Sequence, residues 1–287
     1  MIEYDPKRWF FDLFSIHGTV LPRVYRRVLL FGSMALALWA WDVSLPPLPA
    51  LDPLAHQIIG VALGLLIVLR TNASFDRWWE GRKLWGGLVN SSRNLLRSAT
   101  AYVGPADELA QLVAAYAAAL KQHLRGRRDL TELEGRVPDE LLLRASSAAN
   151  PPLVLSAAIT AWVQTRFAEG KVDSILARHL DARVTEMIDY QGACERILRT
   201  PIPFAYAVHI KQLLLIYVAS LPFALVPKMD LIAVPVVMVI AFGMLGIEEA
   251  GVEIEDPFGD DPNDLPLEDI CAVIARDTAA LAELAKK

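Results

Sequence analysis

Four apolar segments, arranged as two pairs, constrain the fold of this 287-residue chain more than any other feature. The first pair covers residues 28–41 and 54–69 and is joined by a Pro-rich turn, and the second covers 212–226 and 231–247. Crossing about 30 Å of hydrocarbon takes about 20 apolar residues. No segment is an uninterrupted run of that length, so four buried helices of a soluble bundle are one alternative. The tight pairing favours two transmembrane hairpins.

The distribution of charge supports two hairpins. The turn of the first hairpin, residues 42–53, contains Asp42 and Asp52 and no basic residue, whereas basic residues flank the hairpin on both sides. These are Lys7, Arg8, Arg23, Arg26, Arg27, Arg70, Arg77, Arg82 and Lys83. By the positive-inside rule, both termini are predicted to be cytoplasmic. The second hairpin fits less well because its turn contains Lys228.

Composition narrows the class of protein. Apolar residues make up 54% and charged residues 21%, which favours a few spanning helices together with a sizeable aqueous part. The net charge of -5 gives no electrostatic case for a nucleic-acid partner. Five histidines lie far apart and in no metal or nucleophile motif, so we do not expect an enzyme. Cys194 and Cys271 are isolated, so we expect reduced thiols facing the cytoplasm.

Three aliphatic residues repeat at intervals of four in the second apolar segment. We call this set the stripe, and it consists of Val61, Leu65 and Leu69. Beside it, Gly60 and Gly64 form a small-xxx-small pair that lets another helix approach closely. Ordinary packing, in a core or against lipid, would also explain the stripe. The functional alternative is that it lines a pore as a hydrophobic constriction, which closes by dewetting.

Four separated stretches carry a family resemblance. Residues 70–97 begin Arg-Thr-Asn-Ala-Ser-Phe-Asp-Arg-Trp-Trp, and they are followed by 194–211, 222–226 and 253–270. In this order they resemble the bacterial branch of the bestrophin family of ion channels. The stretches cover both hairpins and their flanks, but little of residues 100–190.

The resemblance implies an all-α homopentamer in the lipid bilayer of the bacterial inner membrane, with one central pore. In such a pentamer, the second membrane helix of each subunit lines a hydrophobic neck, and the pore continues through a cytosolic vestibule. Counted back from Trp78, the three neck positions of the family fall on the stripe. A second narrowing at the cytosolic exit is implied near Val184, with Leu180 one turn away.

This organisation divides the chain into five parts. Residues 1–27 are predicted to be a cytosolic N-terminal segment, 28–79 the first transmembrane hairpin with its pore-lining second helix, 80–205 a cytosolic helical domain, 206–249 the second transmembrane hairpin, and 250–287 a cytosolic acidic loop and C-terminal helix. The first residues lack the layout of a cleavable signal, so we expect the N-terminus to be retained.

The acidic loop raises the question of calcium, a cation that binds carboxylate and carbonyl oxygens. Animal bestrophins hold calcium at the matching position, and the resemblance implies a site built from Glu253, Asp256, Asp261 and Asp264. The acidic run is interrupted here by Pro262 and Asn263. Bacterial members share this form, so we expect no required cofactor. The alternative to a calcium site is a solvated loop that braces the structure.

The permeant ion is predicted from charge. A neck of valine and leucine carries no formal charge, and the chain has 33 acidic against 28 basic residues, which would concentrate cations in a vestibule. The sequence therefore predicts a channel for monovalent cations such as sodium. An anion channel for chloride, with the same architecture, is the first alternative. A secondary carrier and a membrane scaffold without transport are the others.

Overall fold

The computed structural model describes residues 7, 10, 14–46 and 51–286. These residues form nine helices and contain no β-strand: α1 Leu21–Ser44, α2 Pro53–Tyr102, α3 Asp107–Leu124, α4 Asp139–Ser147, α5 Pro151–Ala168, α6 Ser174–Arg199, α7 Phe204–Met229, α8 Ala233–Glu253 and α9 Leu267–Leu284. The all-α prediction is confirmed. Arg8, residues 1–6 and part of the Pro-rich turn, residues 47–50, lie outside the described residues.

The chain divides into two compact units. We call the first the apolar unit, and it comprises Met1–Trp78, Pro201–Asp256 and Asp261–Asp264. We call the second the polar unit, and it comprises Trp79–Thr200, Pro257–Asp260 and Leu265–Lys287. Helix α2 contributes residues to both units.

Long apolar helices build the apolar unit. Within the described residues, three helical stretches are long and apolar enough to cross a membrane, judged by length and composition: Leu21–Ser44, Leu54–Tyr102 and Phe204–Glu253. The last stretch contains α7 and α8, which are separated by the 3-10 turn Asp230–Ile232 and pack against each other. Asp230 adopts φ of 52°, which ends α7 and lets the chain reverse.

The core of the apolar unit is made by all four of its helices. Its buried side chains include Val28, Phe31 and Ala35 of α1, Leu63 and Ile67 of α2, Leu214, Val218 and Leu221 of α7, and Val237, Ala241 and Leu245 of α8. Lipid tails are as apolar as these side chains, so close packing rather than exclusion of water holds such helices together. At Gly60, for example, an added Cβ would lie 2.6 Å from the Tyr217 hydroxyl oxygen, so a larger residue would have to displace the Tyr217 side chain.

Helix α3 lies at the centre of the polar unit. Its alanines and leucines are buried, and it packs against α5, α6 and α9. The Tyr116 hydroxyl is also buried, with oxygen partners at 3.0 Å on the Met187 carbonyl and the Gln191 side chain. Local signals set the neighbouring helix starts. The Asp173 side chain accepts the Leu176 N–H at the start of α6, and Asn150 precedes the two prolines that open α5.

Part of the acidic loop folds back onto the apolar unit. The Asn263 amide donates to the Gly18 carbonyl and to the Glu253 carboxylate, both at 3.0 Å. Asp264 is 3% exposed. One of its carboxylate oxygens accepts the Asp261 N–H at 2.7 Å, and the other has no hydrogen-bond partner among the residues that the structure describes.

This environment changes the acidity of Asp264. Burial raises the pKa of its carboxyl group from 3.8 to about 7, with smaller contributions from the nearby carboxylates of the loop and in spite of the Asp261 N–H. Since the folded-state pKa lies above the unfolded one, the folded state holds the proton more tightly. The stability that this group contributes is therefore fully present below its unfolded pKa, and it is lost as the pH rises through about 7.

Replacing Asp264 by asparagine tests this assignment. At about pH 8 the parent carries a buried carboxylate and the variant does not, so we expect Asp264→Asn to melt at a higher temperature than the parent. The advantage should shrink steadily towards about pH 5, where the parent is protonated. Thermal unfolding in detergent, with a chelator present, measures both. Asp189→Asn, at an exposed position of α6, is the control. An equal difference at both pH values would show that Asp264 titrates normally.

Candidate functional site

The stripe lies on the outer face of the apolar unit. Val61 is 77%, Leu65 62% and Leu69 52% exposed. Leu63 and Ile67, on the opposite face of α2, are buried in the core. A helix of 3.6 residues per turn places positions four apart on one face, and the structure shows this division. The stripe therefore has no role in packing the subunit's own core.

Exposure alone does not assign the stripe to a pore. Apolar side chains on other helices of this unit are exposed as well, among them Leu29, Leu36, Leu215, Ile216 and Val239. Such residues suit contact with lipid as well as contact with another subunit. The assignment of the stripe to a neck thus remains a prediction.

The face that carries the stripe changes character after Leu69. Continuing at helical spacing, the next exposed residues on this face of α2 are Asn72, Ala73 and Asp76, of which Asn72 and Asp76 are polar. One helix face thus passes from aliphatic to polar within two turns. A face in contact with lipid up to Leu69 would leave the hydrocarbon at this point. A face lining a pore would leave a dry constriction and enter water.

A buried charge cluster lies behind the end of the stripe. Arg70 directly follows Leu69 and is 2% exposed. One terminal nitrogen of its guanidinium donates to the Glu248 carbonyl at 3.1 Å and to the Glu248 carboxylate at 3.2 Å. The other terminal nitrogen donates to the Glu255 carboxylate at 3.3 Å. Arg70 thus joins the end of the stripe to α8 and to the segment that follows it.

Glu255 has further partners. Its second carboxylate oxygen accepts the Ile202 N–H at 3.2 Å, and its carbonyl accepts from the Arg77 side chain at 3.0 Å. Sequence reasoning missed this cluster. One signal was available, because Glu248 and Glu249 directly follow the fourth apolar segment, and carboxylates next to hydrocarbon are costly unless they are paired.

The residues implied as calcium ligands are already partnered. The Arg23 guanidinium lies 3.4 Å from the Glu253 carboxylate and 3.1 Å from that of Asp261. Over residues 14–46 and 51–286, no three His, Cys, Asp or Glu side chains are grouped so that they could hold a metal ion. Calcium takes six to eight oxygens, and backbone carbonyls can supply some of them. Because Arg23 holds the carboxylates of Glu253 and Asp261, a calcium site at Glu253, Asp256, Asp261 and Asp264 stays a prediction.

The structure contradicts the predicted cytosolic aperture. Leu180 is 0% and Val184 1% exposed, because the face of α6 that carries them is packed into the polar unit. A side chain buried within its own subunit cannot line an opening shared by several. The exposed isoleucines of α6 are Ile175, 78% exposed in its first turn, and Ile188, 36% exposed.

Comparison with known proteins places the chain in a family. The family described as bacterial/fungal bestrophin protein matches residues 1–280. A voltage-dependent anion channel-forming protein of Nostoc is 38% identical over 97% of this chain and 93% of its own length. The voltage-dependent anion channel-forming protein YneE of Escherichia coli K12 is 31% identical over 96% of this chain and 92% of its own.

A solved structure shows the same fold. A bacterial bestrophin homologue from Klebsiella pneumoniae superposes with a TM-score of 0.84 at 27% sequence identity. The match covers 91% of this chain and 98% of that one. The chain therefore belongs to the bestrophin family of membrane ion channels, as the family model, the relatives and the shared all-helical fold agree.

Proposed function

We propose that five copies of this chain form a channel for monovalent ions, with the stripe of each copy lining a narrow neck. The observation that carries the proposal is the face of α2 that is exposed in the single subunit and passes from aliphatic at Leu69 to polar at Asn72 and Asp76. Membership of an ion-channel family supports it. The pore crosses the inner membrane, and both termini lie in the cytoplasm.

The neck works by dehydration. Five copies of the stripe would surround the axis with valine and leucine side chains, which offer an ion no hydrogen bond and no charge. A narrow apolar ring excludes water, and ions with it, unless the ring widens. The side chains of the stripe therefore limit the current by their size.

The sign of the permeant ion is a separate question, and the relatives favour the anion alternative. The curated relatives are named as voltage-dependent anion channel-forming proteins. The excess of acidic residues, which led to the cation prediction, is an average over the whole chain and does not place charge beside the pore. We therefore take conduction of chloride as the leading assignment. Conduction of cations is the second candidate, favoured by the exposed Asp76 carboxylate on the polar continuation of the stripe.

Recording from purified protein in planar bilayers with asymmetric salt tests both candidates. A reversal potential that follows the chloride gradient is expected, and one that follows the sodium gradient assigns the channel to cations. Step-like single-channel currents separate a channel from a carrier, because carriers turn over too slowly to give them. Well-folded protein that passes no ions would contradict the proposal. Repeating the recordings in chelator and in excess calcium tests our expectation that no calcium is required.

Shortening the middle residue of the stripe should widen the neck. We expect Leu65→Ala to raise the single-channel conductance severalfold, because a smaller side chain leaves room for a wider column of water. Leu215→Ala is a matched control, since Leu215 lies on α7 and is 57% exposed, close to the 62% of Leu65. It should leave the conductance unchanged. Equal conductance in Leu65→Ala and the parent would remove the stripe from the narrow part of the pore.

A second narrowing, if α6 provides one, has to come from its exposed residues. We propose Ile175 for this role and expect Ile175→Ala to raise conductance. Val184→Ala is the contrasting variant: it should destabilise the fold by about 0.5–3 kcal/mol without widening the pore. Single-channel recording combined with thermal unfolding separates the two effects. A rise in conductance in Val184→Ala but not in Ile175→Ala would restore the original aperture assignment.

A further inference from the structure

Arg70 is unusual for an arginine that follows an apolar segment. Such side chains normally extend along the helix to reach water with their charged group. Arg70 instead turns its guanidinium into the subunit, where it is 2% exposed and meets Glu248, itself 3% exposed. Burying both charges costs solvation free energy that their attraction recovers only with good geometry. Such pairs are weak evidence for stability, and specifying one arrangement is a better explanation for their presence.

The geometry specifies the rotation of α2. Leu63, Ile67, Arg70 and Ser74 are buried along one face of the helix, and the stripe occupies the opposite face. Leu63 and Ile67 pack in the core, and the packing of Gly60 against Tyr217 also restricts the rotation. The guanidinium has directional bonds to two different segments, at Glu248 and Glu255. Rotating α2 would break these bonds and leave charges buried without partners.

We propose that Arg70 is the positioning residue of the neck: its bonds to Glu248 and Glu255 hold α2 in the rotation that turns Leu69 towards the pore. This inference rests on the proposed function, because it presupposes that the stripe lines a pore. The inference assigns to Arg70 a role without contact to the ion: it sets the direction in which the side chains of the stripe point.

Glu255 extends the positioning to a second segment. Its two carboxylate oxygens are shared between Arg70 and the Ile202 N–H, so the turn before α7 and the end of the stripe are held by one side chain. The packing is close at this level, because a Cβ added to Gly251 of α8 would lie 3.2 Å from the Thr71 hydroxyl and 3.5 Å from the Arg70 guanidinium. A displacement of this turn is thereby passed to the residue next to Leu69.

A cysteine at position 69 makes the rotation measurable. Cys194 and Cys271 are 1% and 8% exposed, so Leu69→Cys supplies the reactive thiol. Burial also raises the pKa of both native thiols to about 12. In bilayer-reconstituted protein, a charged water-soluble thiol reagent should block the current through Leu69→Cys. When Arg70→Gln is added, we expect the rate of block to fall severalfold. We also expect Leu69→Ala to change conductance in the parent but much less in Arg70→Gln.

Arg27→Gln is the matched control. It removes an arginine from the same unit and breaks an ion pair of 2.9 Å with Glu249, but Arg27 lies on α1 and about half of its side chain is exposed. The rate of block should be the same as in the parent. If Arg70→Gln does not assemble, Glu255→Gln takes its place, because it leaves the Arg70–Glu248 pair intact and weakens the Arg70–Glu255 ion pair together with the link to Ile202. A slower block in Glu255→Gln supports the proposal.

The outcomes separate this inference from the function beneath it. If Arg70→Gln only lowers the melting temperature, while the rate of block and the conductance equal those of the parent, Arg70 is a structural residue and the proposal is overturned. If Leu69→Cys conducts but is not blocked by the reagent, the stripe does not line the pore, and the proposed neck fails together with the inference.

Discussion

The structure depends on one constraint: a charge placed beside an apolar helix has to find a partner inside the protein or reach water. Arg70 meets this constraint through Glu248 and Glu255, and Arg23 meets it through Glu253 and Asp261. Both arginines bind carboxylates in the last two turns of α8 or in the segment that follows it. The acidic residues that follow the last apolar segment therefore anchor the first two helices.

These ion pairs connect the fold to the proposed pore. Helix α2 packs its buried face with aliphatic side chains. The Arg70 guanidinium at the end of that face adds directional hydrogen bonds to Glu248 and Glu255. In the proposed pore, the exposed residues of the stripe would contact the permeant ion, and the buried cluster around Arg70 would determine which residues do so.

Much of this organisation can be predicted from the sequence. Apolar segments and their pairing indicate the long helices, and the spacing of Val61, Leu65 and Leu69 predicts their common face, which the structure leaves exposed. The partners of Arg70 could not be predicted, because Glu248 and Glu255 lie 178 and 185 residues away and no local pattern joins them. The prediction that Val184 and Leu180 line a cytosolic aperture was wrong for a different reason. Each residue turns a helix by about 100°, so a small error in alignment moves a position from an exposed to a buried face.

The lack of charge on the stripe has a consequence for which ions pass most readily. A neck without formal charge or hydrogen-bonding groups does not replace the water molecules that an ion loses on entry. The energy barrier to permeation therefore increases with the hydration free energy of the ion. Large, weakly hydrated ions of the permitted sign should then cross more easily than small ones, and added salt should change this ranking little. Selection between ions of like charge would then come from differences in the free energy of dehydration.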